Sequence, residues 1–538
     1  MGVHPHTPTA GVGSPKRGRQ ARYAAQRGVG SRIVRHEASV GGPHRAGRVS
    51  VPTATRTPQQ PGASRPASPA NTRAQNLALL VVVTGVLIAA VDTTIVVLAL
   101  PAIQRSLHVG LASVIWVIIG YLLVITVLST QVGRLGDMFG RVRAYEAGFL
   151  VFIAGSLACA LAWGEVSLIV FRLVQGVGGA LLTANAGAVI ADIFPREQRG
   201  KAYGYYAIGW NTGSVLGIVL GGLIVTYASW RWVFWINVPI GLAAFAVATR
   251  VLHDTGARER HRLDWPGMIT LALGLFALLW AMVKLTSESL DATIAAYALG
   301  GVLLIAVFAL IERVRDEPML DLRLFRVPTL TPSFLASTFQ ALASFAVLFL
   351  ILMYLQGVRH LSPLHASVLL IPGYAVGAVV GLWGGRLADR FSPVLPATMG
   401  LAIQIGVMVA YAQLSSSTAL WLVVVIYVVG AVGSGLFYPA NTAAVMKAAP
   451  GASLGVTAGL LRTFANLGMV FSFAVAIVVA SQSIPRHEAV AIFVGTTSLP
   501  RAAAAAFTDG LHAAFYASTS LMAVAAVLSA SRFFSRRR

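Results

Sequence analysis

Two ionisable residues interrupt apolar runs long enough to cross a bilayer. Asp92 lies about fifteen residues into the run 77–101, and Arg172 about six residues into the run 166–191. At 1.5 Å per residue, Asp92 stands about 22 Å from the start of its helix. Counted back from the far side of a hydrocarbon layer of about 30 Å, Arg172 stands about 21 Å from the same face. An ionised side chain at that depth costs about 2.5–3.5 kcal/mol on the insertion scale, so both are expected to face a polar interior and each other. A carboxylate can take up and release a proton, whereas a guanidinium stays charged. One reading is therefore a proton-accepting Asp92 whose affinity depends on Arg172 and on conformation. The alternative is a static ion pair that only fixes helix packing.

Arg462 is a second arginine inside an apolar run, with Asn466 one turn further on the same helix face. The pair either faces a substrate cavity or Arg462 snorkels to the headgroups. Asn185, Asn211 and Asn441 are weaker cavity candidates, since a lone membrane Asn also bonds a neighbouring helix. The glycines Gly209, Gly213, Gly217 and Gly221 recur every four residues and mark a face for close helix approach, expected as a sliding surface between halves. No nucleophile–base pair, no metal-ligand spacing among the histidines and no Gly-Lys-Ser/Thr phosphate loop occurs. The chain therefore reads as no enzyme, without cofactor or metal, and not driven directly by ATP.

The elements that position these residues follow from composition. Hydrophobic residues make up 56% of the 538 and charged residues only 11%, with a mean hydropathy of +0.74. Soluble chains carry about 25% charged residues, so this composition specifies an all-α polytopic membrane protein. Fourteen spans are predicted, at about 77–101, 112–133, 144–163, 166–191, 203–227, 233–252, 266–284, 294–312, 334–357, 365–387, 394–414, 419–446, 455–480 and 510–530. Basic residues such as Arg141, Arg143, Arg196, Arg199 and Lys201 follow even-numbered spans, which puts both termini in the cytoplasm. The net charge of +22 does not indicate nucleic acid. Twelve Lys and Arg against Glu37 alone fall in the first 73 positions, in a Pro-, Gly- and Ser-rich stretch without periodicity. Residues 1–74 are expected to be a disordered basic cytoplasmic tail drawn to anionic lipid; an organelle transit peptide is the alternative.

An internal repeat sets the plan. Gly133-Arg134-Leu135-Gly136-Asp137-Met138-Phe139 after span 2 matches Gly385-Arg386-Leu387-Ala388-Asp389-Arg390-Phe391 after span 10 at five of seven positions. A plain six-plus-six repeat would place the second copy after span 8. Two spans are therefore inserted, giving a bundle at 75–255, a two-helix insert at 256–333 and a second bundle at 334–538. By themselves, Asp137 and Arg141 could be no more than a helix cap with a basic neighbour.

With these residues in view, the chain resembles the major facilitator superfamily, in its fourteen-helix drug:proton antiporter branch. Gly133 to Arg143 is similar to the family's loop motif, Arg172-Leu173-Val174-Gln175-Gly176-Val177-Gly178-Gly179 to its fourth-helix motif, and Val91 to Pro101 to the first-helix motif of the branch. Trp230-Arg231-Trp232 and Ile236-Asn237-Val238-Pro239-Ile240-Gly241 are also typical. Val97 stands where the branch has Asn, and Ile218 where its fifth-helix motif has Pro. The resemblance implies two six-helix bundles plus two inserted helices, with Gln175 joining the cavity candidates. It implies a cytoplasmic gate in which Gly133, Asp137 and Arg141, with Asp389 in the repeat, latch the halves. The implied function is export of hydrophobic small molecules, cations among them, in exchange for protons at a bacterial inner membrane. Expected partners are the substrate, protons and lipid, without nucleic acid; an accessory efflux partner is left open. Import, lipid or metabolite export, and a non-transporting receptor are the alternatives.

Overall fold

The computed structural model describes residues 69–254, 263–285, 288–315, 318–320, 322–449, 454–481 and 501–535, apart from individual side chains. The expected tail, residues 1–74, lies almost wholly outside them. The helices are α1 (Pro69–Leu107), α2 (Leu111–Phe139), α3 (Arg141–Ala160), α4 (Glu165–Ile193), α5 (Arg196–Tyr227) and α6 (Trp232–Val251). The insert is α7 (Trp265–Lys284) and α8 (Ala292–Val314). Then come α9 (Leu330–Val358), α10 (Pro363–Arg390), α11 (Val394–Tyr411), α12 (Leu420–Ala448), α13 (Leu454–Ser481) and α14 (Arg501–Ser535). Thirteen are long and apolar enough to span a membrane as single helices, and α2 makes fourteen as one span bent by 54°. The side on which α2 ends and α3 begins is called here the terminal face.

Local chemistry explains the boundaries. Asp264 accepts from the Gly267 amide and starts α7 just ahead of Pro266; Asp291 does the same for Ile294 at α8. Ser362 caps α10 before Pro363. Between α2 and α3 the chain turns at Gly140, whose φ of +112° suits glycine. Span 1 does not stop at Pro101 as predicted. It continues to Leu107, because an internal proline removes only its own N–H bond, the one to the carbonyl four residues back, and the helix closes again beyond it; Arg105 Nε in the last turn donates to the Pro101 carbonyl at 3.3 Å.

The glycine stripe of α5 does not lie between the halves. It receives α1 within the same bundle. A methyl group at Gly213 would stand 2.5 Å from the Leu87 carbonyl, at Gly217 2.6 Å from the Val91 carbonyl, and at Gly209 2.7 Å from Val83. At Gly221 the nearest α1 atom is Ile95, at 3.2 Å. Without side chains there, the α1 backbone carrying Asp92 comes into direct contact with α5. The neighbouring Gly222 is the one that meets the other half: a methyl group there would stand 3.0 Å from the Pro363 carbonyl of α10. In the C-terminal half, Gly468 of α13 lies against the backbone of α9, where Thr338 Oγ1 donates to the Phe464 carbonyl at 2.9 Å. The insert packs on α2, with Trp116 against Phe276 and Trp280 of α7 at ring-centroid distances of 5.2 and 5.9 Å.

Candidate functional site

Asp92 and Arg172 meet inside the N-terminal bundle, at 0% and 1% exposure. Arg172 Nη1 donates to Asp92 Oδ2 at 2.6 Å. Gln175 lies one turn after Arg172 on α4 and reaches both charges. Its Oε1 accepts from Arg172 Nη1 at 2.6 Å, and its Nε2 donates to Asp92 Oδ1 at 2.8 Å and to Ser156 Oγ of α3 at 2.6 Å. Asn237 of α6 donates to the same Oδ1 and to Ser156, both at 3.3 Å. Arg172 also donates from Nε to the Val117 carbonyl of α2 at 2.9 Å, and its guanidinium lies 4.1 Å from the ring centroid of Tyr121. Side chains from α4 and α6 thus converge on one α1 carboxylate, with Ser156 of α3 holding both amides, while α2 receives the arginine.

The arrangement is asymmetric in a useful way. Arg172 supplies the only positive charge among the described contacts of Asp92. The arginine has further acceptors in Gln175 and Val117 and an aromatic face at Tyr121. If Asp92 takes a proton, Arg172 therefore keeps part of its solvation, and the cost of an uncompensated buried charge is reduced. Gln175 was expected on a substrate cavity wall. It is instead fully buried within this cluster, because its helical offset of three from Arg172 aims it at Asp92.

Other candidates separate into two places. Asn441 is not a cavity residue either: it is buried at 1% exposure, donates to Ser337 Oγ at 2.8 Å and accepts from Arg532 Nη1 at 2.6 Å. Arg532, fully buried near the end of α14, also donates to Ser333 of α9 at 2.9 Å and so ties α9, α12 and α14 together. Sequence reasoning passed over it because it adjoins the basic C-terminus. Asn185 is buried beneath the loop motif rather than facing a cavity; its Nδ2 donates to the Leu181 carbonyl at 2.9 Å, and Gly136 leaves room for its amide. Asn211 is exposed on α5, and Asn466 is half-buried on α13.

At the terminal face, Arg141 bridges two carboxylates, Asp137 and Asp192, each at 2.7 Å. This bridge joins the ends of α2, α3 and α4 to one another, all in the N-terminal half. Gly133 is open around its Cβ position, so Gly136 and Gly140 are the glycines that packing demands. The Asp389 side chain lies outside the described residues. A contact that does cross between halves comes from Arg462: its Nη1 donates to the Thr183 carbonyl of α4 at 2.6 Å, and its guanidinium lies 5.6 Å from the Tyr206 ring of α5.

Thirteen apolar helices and one bent span, counted among the described residues, surround buried charges and define a multi-pass membrane protein built from two helical halves and an insert. The sequence profile of the Major Facilitator Superfamily matches residues 82–473, and the chain belongs to that family of transporters. It is 30% identical over 407 residues to the tetracenomycin C resistance and export protein of Streptomyces glaucescens, covering 75% of this chain and 76% of that one. It is 32% identical over 417 residues to the multidrug-resistance candidate MdtD of Salmonella heidelberg (strain SL476), covering 76% and 86%. These relatives support the fourteen-helix branch that the motifs resemble. A bacterial homologue of the human lysosomal transporter Spinster, solved inward-facing and occupied, shares the fold at a TM-score of 0.61 and 17% identity, covering 88% of this chain and 98% of that one. Among the described residues no group of three or more His, Cys, Asp or Glu could hold a metal ion.

Proposed function

We propose that this transporter exports hydrophobic small molecules, cations among them, across a bacterial inner membrane in exchange for protons. In this reading the terminal face is cytoplasmic, in line with the basic residues that follow even-numbered spans. The observation that carries the proposal is the sealed Asp92–Arg172–Gln175 cluster, which holds a titratable carboxylate in the middle of the N-terminal half. An intramembrane carboxylate is costly to insert and is kept where it has work to do. Protonation of Asp92 releases one bond of Arg172 and alters how α1 and α4 hold together. That change is the conformational lever: each state of the cluster favours one arrangement of the halves. The membrane potential contributes about 2.3 kcal/mol per charge per 100 mV to the exchange. The relatives named for resistance and export support the direction and the substrate class.

The test uses everted membrane vesicles containing the full chain. On energising, they should accumulate a hydrophobic cation such as ethidium, and its addition should release protons from the lumen in a pH-dye assay. Ethidium accumulation that survives a protonophore would contradict proton exchange. Failure to accumulate any member of a hydrophobic panel would contradict export.

A further inference from the structure

The inserted helices contain a second buried acidic pair. Asp264 at the start of α7 and Glu312 near the end of α8 are 2% and 3% exposed. Each has a satisfied outer oxygen. Asp264 Oδ1 accepts from the Gly267 amide at 3.0 Å and faces Arg315 Nε at 3.5 Å, while Glu312 Oε2 accepts from the Leu320 amide at 2.8 Å. The inner oxygens, Asp264 Oδ2 and Glu312 Oε1, are buried without any hydrogen-bond partner among the described residues. Both converge on Gly267: a methyl group there would press on Asp264 Oδ2 and stand 2.8 Å from Glu312 Oε1. Ionised carboxylates only accept, so two facing acceptors with no donor between them repel. One proton placed between them gives both a partner, as in other close carboxylate pairs.

We propose that Asp264 and Glu312 share one proton and form a protonation site in the insert, separate from Asp92. The site is wired to the loop motif. Glu312 holds Leu320 in the short segment 318–320, and the Pro318 carbonyl of that segment receives Arg134 Nη2 at 2.5 Å. Arg134 belongs to the repeated motif at the end of α2 and acts electrostatically on Glu312; Arg315 faces the pair from the end of α8. Together with the Trp116 contacts to α7, the insert therefore grips α2 at both ends. Loss of the shared proton leaves two facing anions, loosens segment 318–320 and weakens the hold on Arg134. The insert thereby makes the motif's conformation responsive to pH on the side where Asp264 and Glu312 lie.

Infrared difference spectroscopy of the full-length protein in lipid tests this. Near neutral pH the wild type should show a protonated-carboxyl band that is lost in full in Glu312→Gln and equally in Asp264→Asn, since the remaining carboxylate then ionises beside Arg315 or Arg134. The double variant should lose no more than either single one. Spectra in which neither substitution removes a protonated-carboxyl band would overturn the proposal. Should the variants fail to fold, the wild type alone decides. An apolar carbodiimide, which attacks protonated carboxyls, should label Asp264 or Glu312 by mass spectrometry, with yield falling as pH rises. Absence of label from both, in protein whose other buried carboxyls react, would refute the shared proton.

Discussion

Arg462 Nη1 lies 2.6 Å from the backbone carbonyl of Thr183, so a charged side chain of the C-terminal half ends on the main chain of the N-terminal half. A hydrogen bond from a charged donor contributes about 1.5–3 kcal/mol, enough to bias a two-state equilibrium by about ten- to a hundredfold. Arg462→Ala should therefore favour the arrangement in which the halves separate at this end. The only native cysteine, Cys159, is buried, so a reporter cysteine at position 466 can be read cleanly. Its alkylation rate should rise severalfold in Arg462→Ala; an unchanged rate would show that the contact does not hold the halves.

The Arg141 bridge predicts a kinetic effect. Its members are about one-third exposed or less, so each pair contributes no more than about 1 kcal/mol. Asp137→Asn and Asp192→Asn should each slow turnover severalfold while leaving substrate affinity nearly unchanged. Because both carboxylates act through Arg141, the double variant should be less impaired than the product of the two. Equal losses of binding and turnover would show that the bridge does not act on the conformational step.

Packing of α1 on α5 makes a graded prediction. Gly217→Ala drives a methyl group to 2.6 Å from the Val91 carbonyl, whereas Gly221→Ala meets nothing nearer than 3.2 Å, at the Ile95 side chain and carbonyl, where a shift of a few tenths of an ångström suffices. Overpacking costs about 1–3 kcal/mol. Thermal unfolding in detergent should show a clear drop in Tm for Gly217→Ala and a small one for Gly221→Ala. Equal values would mean that α1 does not need this approach.

The buried Arg532 gives a stability prediction for the other half. Asn441→Leu removes the acceptor at 2.6 Å and the donor to Ser337, a loss of about 1.5–3 kcal/mol. Its Tm should fall well below that of Asn441→Gln, which can still accept. If the two match, the amide is not what holds α14.

The helix count and the repeat were legible because apolar length and duplicated motifs are carried by the sequence itself. The meeting of Asp92 with Arg172 was legible because depth along a span is simple arithmetic. What the sequence hid is direction around each helix. Gln175 and Asn441 are polar residues in apolar runs, a pattern shared by cavity walls and sealed clusters, and only packing distinguishes them. Asn237 was visible within a motif, yet nothing in one sequence aims its amide at Asp92. The glycine stripe announced a close neighbour but could not say that the neighbour is α1 rather than the opposite half. Arg532 escaped because a charge beside a basic terminus looks solvated, Asp264 because it lies in a loop counted only by its basic residues, and Glu312 because it ends a span beside Arg313 and Arg315.

The central claim, that Asp92 carries the coupling proton, is tested most directly by Asp92→Asn in proteoliposomes, with equilibrium counterflow compared against uphill transport driven by a proton gradient. The substitution leaves Arg172 without its counter-charge, which costs about 3–5 kcal/mol in a buried pair, partly offset by Gln175, Val117 and Tyr121. Protein matched for folding by size exclusion should still exchange substrate down its own gradient, because the asparagine keeps the size and much of the bonding of the carboxylate. Uphill transport should vanish, because the site no longer titrates. Counterflow retained with uphill transport lost is the predicted result; uphill transport at the wild-type level in Asp92→Asn would contradict the account and place the proton elsewhere.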